Sequence, residues 1–352
     1  MTTANFKAAS EMSYANNEKI QNQYQTLSGK LIEHLKSVKL DKSLFFNEGE
    51  TVYIPDVHGD FVHLIITLHR YGLLESEVLE PDFHLRKNFK YVFLGDFYDR
   101  APDAGSIDFW LNIQIRQEIE IYRLIGNHEF AFFVRKENGY PVIFPSQDSI
   151  KDISNNFQIT EDILKNIANG NLIAAYVDEM KTLYIHSYAI NDDFTELGLN
   201  KEANILDFAI TLNKKLQEYG TNAYEIFLEC KKKNKYNWKE IIQPFNKDPL
   251  FDIEKKRKEI NTSFLWRRTG VPILNTYPLE LEVQIPDHVY QIVGHTPVFL
   301  FKLPRNHIVT YPFVLSAKNS TGKVQFSDVG IGYYYKKDSF ERPEITIKKL
   351  LN

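Results

Sequence analysis

Five short polar clusters, each placed directly after an apolar run, constrain this chain more than any other feature: Asp56-Val57-His58-Gly59, Gly95-Asp96-Phe97-Tyr98-Asp99-Arg100, Gly126-Asn127-His128-Glu129, His186, and Gly294-His295-Thr296. The runs before them, Thr51 to Ile54, Tyr91 to Leu94, Ile121 to Ile125, Thr182 to Ile185 and Tyr290 to Val293, are rich in β-branched and aromatic residues, the texture of buried strands. A lone His or Asp after a strand is usually a hydrogen-bonded turn residue. A series of them is different, because carboxylate, imidazole and amide groups from separate strand ends can meet only at one edge of a sheet.

The segments between these strands carry helical spacing. Leu64, Ile65 and Leu68 predict a helix over Phe61 to Tyr71, giving a β-α-β start and an α/β class with a partly parallel sheet. Asp103 to Gln117 and Thr160 to Ala168 are further helical candidates, with Pro141 and Pro145 in a loop between them. Residues 1–45 read as a helical lead-in, with Leu27, Leu31, Ile32 and Leu35 on one face and Ser28 available as its cap. A catalytic domain is expected over 46–352, with a mostly helical insertion at about 191–262 that holds the Lys231-Lys232-Lys233 run, read as a solvated face, and the Asp248-Pro249 turn. Strand texture returns in His307 to Val309, Val324 to Phe326 and Glu344 to Lys348.

Composition closes off several function classes. The net charge of -4 gives no basic footprint for a nucleic-acid backbone, so no DNA or RNA partner is expected. Cys230 is the single cysteine, which excludes an intrachain disulfide framework and a thiolate zinc site. The first residues lack a basic and then apolar leader, and no apolar stretch is long enough for a membrane span. A cytoplasmic protein is expected, with delivery into a host cell as an effector kept open.

Carboxylate, imidazole and amide donors in this order suit a pair of hard or borderline divalent ions, with one carboxylate bridging them. Gly59, Gly95, Gly126 and Gly294 would let the backbone approach those ligands.

Together these motifs resemble the calcineurin-like metallophosphoesterases, and within them the phosphoprotein phosphatase branch: Asp-x-His-Gly, Gly-Asp-x-x-Asp-Arg, Gly-Asn-His-Glu and two later histidines, in order from Asp56 to about Gly330. The resemblance implies a β-sandwich of two mixed sheets flanked by helices, with the site at one edge. It implies that Asp56 and His58 bind one metal, Asp96 bridges, and Asn127, His186 and His295 bind the other. Mn2+ is the expected ion, with Fe, Zn or Mg as alternatives. His128 would be the general acid, oriented by Asp99, while Arg100, Arg268 and Asn127 would meet the substrate phosphate. Arg268 is preferred to Arg267 because Leu265-Trp266-Arg267-Arg268 resembles a Leu-Trp-x-Arg segment of the branch.

The expected reaction is hydrolysis of phosphoserine and phosphothreonine in a phosphorylated protein, with phosphotyrosine included, by water activated at the metals. A dinucleoside polyphosphate or nucleotide hydrolase and a non-catalytic scaffold of the same fold are the alternatives. The chain departs from the pattern at Pro55, Ala101 and Ser187-Tyr188, which are expected to put bulkier side chains at the rim of the site. Asp328, in Phe326-Ser327-Asp328-Val329-Gly330, is read as structural. His34, His63, His69, His84, His288 and His307 are read as ordinary residues without a role in the site, and the Tyr333-Tyr334-Tyr335 cluster as edge packing.

Overall fold

Thr51–Ile54 (β1), Lys90–Phe93 (β2), Glu120–Leu124 (β3) and Leu172–Ile173 (β4) form a four-stranded sheet in the order β1-β2-β3-β4. All its described pairings are parallel. The computed structural model describes residues 11–40, 42–75, 80–98, 100–132, 157–200, 204–252, 265, 267, 280–281, 284–297, 312–317, 320–332, 335 and 339–350. A second, six-stranded sheet contains Ala175–Val177 (β5), Thr182–Ile185 (β6), Glu280–Leu281 (β7), Tyr290–Pro297 (β8), Phe313–Ala317 (β9) and Lys323–Asp328 (β10), in the order β5-β6-β8-β10-β9-β7. It is mixed: β6, β8 and β10 run parallel, whereas β5 and β9 are antiparallel to their neighbours β6 and β10. The two-sheet, helix-flanked α/β architecture is as expected.

Parallel neighbours need crossovers, and helices supply them. Phe61–Arg70 (α2) joins β1 to β2, and Ala104–Arg116 (α3) joins β2 to β3. Asp60 caps α2, its carboxylate accepting the His63 N–H at 3.0 Å. Such a cap contributes about 1 kcal/mol. On α3, Ile107, Trp110 and Leu111 are buried, and the Trp110 indole donates to Phe83 O at 3.1 Å. Asn127–Ala131 (α4) follows β3, and Phe157–Ala168 (α5) leads into β4.

The lead-in helix, Glu18–Leu35 (α1), starts well before Ser28. Asn17 is its cap, accepting from Lys19 N, and Ser28 is buried in the middle of the helix. The apolar stripe reaches back through Tyr24, whose ring packs on Phe61 and Phe109, so the helix docks over a longer face than the leucines alone implied. Between 191 and 246 the chain forms Asn191–Glu196 (α6), the 28-residue Ile205–Lys232 (α7) and Trp238–Asn246 (α8). Asn213 on α7 receives the Ala174 and Ala175 N–H groups and donates to Ala175 O, joining the helix to β5. Lys231 pairs with Glu161 at 2.6 Å on the surface. Asp248 makes the expected turn by accepting from Leu250 N at 2.9 Å.

Glu344 to Lys348, expected as a strand, has no ladder. Its backbone groups are taken by side chains instead. Tyr53 and Gln325 donate to Lys348 O, Tyr71 donates to Ile345 O and accepts from Ile347 N, and the Gln325 amide oxygen accepts from Leu350 N. Residues 339–350 are therefore a strap, pinned by side chains and by buried Ile345 and Ile347. Pro141, Pro145, His307 to Val309 and Tyr333-Tyr334 lie outside the described residues.

His63 also faces the strap, with Nε2 3.1 Å from Pro343 O. A proton on Nε2 makes that bond and leaves Nδ1 without one, so the buried ring is neutral. Burial drives its pKa from 6.5 down to about 4. The folded state thus resists protonation: the contribution of His63 is intact above pH 6.5 and is lost as pH falls toward 4, by roughly 3 kcal/mol in all. The stability difference between wild type and His63→Gln, measured by urea unfolding from pH 7 to pH 4, should move against the wild type across that window. A difference independent of pH would mean that the ring is not held neutral.

Candidate metal centre

The parallel strands of both sheets end at one edge, and the polar clusters follow those ends. In open α/β sheets this is where ligands bind. Asp56 follows β1, Asp96 follows β2, Asn127 opens α4 after β3, His186 follows β6, His295 lies on β8 and Asp328 ends β10. Asp56, His58, Asp96, Asn127, His186, His295 and Asp328 are each at most 2% exposed, and His128 is 5% exposed.

Three groups of potential ligands overlap here: His58, Asp96 and His128; Asp96, His186 and His295; and Asp56, His58 and Asp328. Within each group the ligand atoms lie within 4.8 Å of one another. Asp96 belongs to two groups and His58 to two, which is the sharing expected of adjacent cation sites. Asp328, read from the sequence as structural, lies in the third of these potential groups. Its burial and a register shift in the β8–β10 ladder between Phe326 and Asp328 bring it there.

The donor chemistry fits a cation. His186 Nδ1 lies 2.7 Å from Leu94 O, an acceptor, so this nitrogen carries the proton. In the neutral ring Nε2 then holds a lone pair, yet it faces Asn127 Oδ1 at 2.9 Å and Asp96 Oδ1 at 3.5 Å. His295 Nδ1 is 2.7 Å from the same Asn127 oxygen. Converging lone pairs are satisfied by a shared positive charge. Asp56 Oδ2 accepts from His295 N at 2.7 Å, while buried Oδ1 has no hydrogen-bond partner among the described residues.

The carboxylates titrate apart. Burial, then Asp328 and Asp96, pushes Asp56 well above the usual carboxylate range. Burial also pushes Asp96 upward, but His128, His186 and His58 together outweigh it and hold Asp96 below its ordinary value. Glu129, given no role by the sequence analysis, sits behind Asp96. Its carboxylate accepts from Asp96 N at 2.9 Å, Phe97 N at 2.8 Å and Gly126 N at 2.8 Å, tying the second and third clusters together. Burial and Asp96 raise its pKa to about 7.

The backbone is unusual at the same places. His58, Asp96, Arg100 and His295 have φ of 45°, 51°, 53° and 59°, in the left-handed region that costs non-glycine residues of order 1 kcal/mol or more each. Gly294 and Gly126 are required for close approach: a Cβ would collide with Asp56 Oδ1 at the first and with Asp96 Oδ1 at the second.

His128 is anchored by its N–H to Asp96 Oδ1 at 2.9 Å, with Nε2 3.5 Å from Asp96 Oδ2 and its ring centroid 5.0 Å from that of His58. Arg100 is half-buried beside this loop. Asp99 and Arg268 lie outside the described residues. Arg267 is engaged elsewhere, in a buried bidentate pair with Asp193 at 2.6 and 2.8 Å and a bond to Tyr188 O. Pro55, Ala101, Ser187 and Tyr188 do not form a rim: all are buried, and Ser187 donates to Arg267 O at 2.5 Å.

No described helix is long and apolar enough to cross a membrane. No family model matches the chain, and no curated protein matches it. Among solved structures, it is similar to a point mutant of a cold-active protein tyrosine phosphatase, at 16% identity and TM-score 0.49, covering 84% of this chain and 78% of that one. The cold-active protein tyrosine phosphatase of a psychrophilic Shewanella species gives 15% identity, 84% and 78% coverage, and TM-score 0.45. A serine/threonine phosphatase from Saccharomyces cerevisiae gives 17% identity, 48% and 50% coverage, and TM-score 0.29.

Glu129→Gln should destabilise the chain by about 1–3 kcal/mol, since one amide oxygen cannot serve all three buried N–H donors. Urea unfolding measures this; an unchanged midpoint would remove Glu129 from its bracing role.

Proposed function

We propose that this chain is a metal-dependent phosphoprotein phosphatase acting on phosphoserine and phosphothreonine, with phosphotyrosine included. The observation that carries the reading is the overlap of three buried ligand groups through Asp96 and His58 at the shared strand-end edge. Asp56, His58 and Asp96 would hold one divalent ion, with Asp328 beside them, and Asp96, Asn127, His186 and His295 a second. Such a pair, of which Mn2+ is the expected form, supplies Lewis acidity toward water and the phosphoryl oxygens.

The chain's own groups do the rest. Arg100 and Arg268 hold the phosphate oxygens through guanidinium forks, and Asn127 adds an amide. The engagement of Arg267 by Asp193 supports Arg268 as the phosphate ligand of the adjacent pair. Water's oxygen joins phosphorus, the ester P–O bond breaks, and the leaving alkoxide takes a proton from His128, which Asp99 keeps oriented and charged. Delivered into a host cell as an effector, the chain would carry the same chemistry to host phosphoproteins.

The test is phosphate release by metal-stripped protein, with and without Mn2+, on matched phosphoserine, phosphothreonine and phosphotyrosine peptides. Turnover should require the metal and fall about a hundredfold or more in His128→Ala and Asp96→Asn. Turnover of diadenosine tetraphosphate with none of any peptide would replace the protein substrate by a nucleotide; no turnover of either would leave the scaffold reading.

A further inference from the structure

The turn that presents His58 is held from a direction the sequence motifs do not include. His58 and Gly59 have φ of 45° and 75°, two consecutive residues in left-handed conformation. A turn of this kind persists only where its surroundings over-determine it. On one side the 101–103 loop does so, with Ala101 N bonded to His58 O and Asp103 N to Gly59 O, both at 3.0 Å. On the other side is the C-terminal part of the chain. Gly332 lies against the turn so closely that a Cβ there would sit 2.5 Å from His58 Cβ.

Beyond Gly332 the strap brings in Arg342, 282 residues from its partner Asp60 in sequence. Nε donates to Asp60 Oδ2 at 2.7 Å and Nη2 to Oδ1 at 3.2 Å. Nη1 donates to Ser339 O and Glu341 O at 3.0 Å, so the guanidinium is itself held by the strap. Its side chain is 1% exposed and that of Asp60 0%. Asp60 closes the turn, its N–H bonded to Val57 O at 3.1 Å, and starts α2 through His63 N. The carboxylate is thus gripped by α2 from one side and by Arg342 from the other, with Asp56 and His58 on the segment that leads into Asp60.

We propose that Arg342 is a positioning residue for the metal site: through Asp60 it holds the Asp56–His58 turn in ligating conformation, making the C-terminal strap part of the site's support. The inference rests on the metal reading of Asp56 and His58. A guanidinium fits the role because it grips both carboxylate oxygens and the strap carbonyls at once, whereas an ammonium offers one point of charge.

The test is Mn2+ binding by calorimetry to the full-length, metal-stripped protein, with thermal unfolding and circular dichroism recorded alongside. Arg342→Ala should weaken Mn2+ binding about tenfold or more at temperatures where the chain remains folded. Arg342→Lys should show a smaller loss, and keeps the test open if the alanine variant does not fold. Tyr53→Phe, which removes a strap contact at Lys348 without touching Asp60, should bind as the wild type does. Affinity within twofold of wild type in both Arg342 variants, with only the melting temperature lowered, overturns the proposal. So does an equal loss in Tyr53→Phe, which would assign the effect to the strap as a whole. Absence of Mn2+ binding in the wild type would fail the metal reading itself, a distinct result.

Discussion

Four carboxylates, Asp56, Asp96, Glu129 and Asp328, are buried together where the two sheets meet, each at most 2% exposed. Removing one carboxylate from water costs several kcal/mol unless its charge is met, and neighbouring carboxylates add mutual repulsion. The surrounding fold is arranged around meeting that charge. Backbone N–H groups of Asp96, Phe97 and Gly126 serve Glu129, the N–H of His128 serves Asp96, and those of His295 and Gly330 serve Asp56 and Asp328. Three imidazoles then settle Asp96 in its charged form, whereas Asp56, beside two other carboxylates, is pushed toward neutrality. The imbalance is local: imidazoles outweigh burial at Asp96, whereas at Asp56 the neighbouring carboxylates add to it.

Bringing so many main-chain donors inward requires turns that an ordinary L-residue avoids. This explains why His58, Asp96, Arg100 and His295 share positive φ, and why glycine stands where a Cβ would strike Asp56 or Asp96. The strain is held by contacts that are remote in sequence. Glu129 binds the turn after β2 to the turn after β3, Arg267 and Asp193 brace the turn after His186, and Asp60 and Arg342 brace the turn after β1. The last two braces are buried ion pairs, so loss of one partner leaves an uncompensated ion.

These braces mark the boundary of what the sequence alone discloses. The strands before the clusters are legible because period and residue type are local properties: Thr51–Ile54 and Thr182–Ile185 fall where the runs place them. The ligand clusters are legible because they abut those strands. Glu129 and Asp60 stand inside or beside the motifs, but nothing local says which backbone groups their carboxylates reach. Arg342 is further removed, its partner being hundreds of residues away, and the strap around it reads as a strand although its carbonyls bond tyrosine and glutamine side chains. Asp328 is read as structural because its place beside Asp56 and His58 goes with a register shift in a ladder, which no spacing encodes. Arg267 and Arg268 are alike as residue types, and the Asp193 partner that engages Arg267 is not legible beside them in the sequence.

The same electrostatics weigh between an enzyme and a scaffold. A chain retained only for its surface gains nothing from acids clustered in its interior, and replacing buried charge by packed apolar side chains is often neutral or stabilising by about 1–4 kcal/mol in other proteins. Here the acids persist alongside Asn127, His186 and His295, with lone pairs on Asn127 and His186 turned toward one another. Pro55, Ala101, Ser187 and Tyr188 are packed inward beside these turns, away from the ligand groups. The buried groups at this edge thus keep the composition and spacing that could hold a cation.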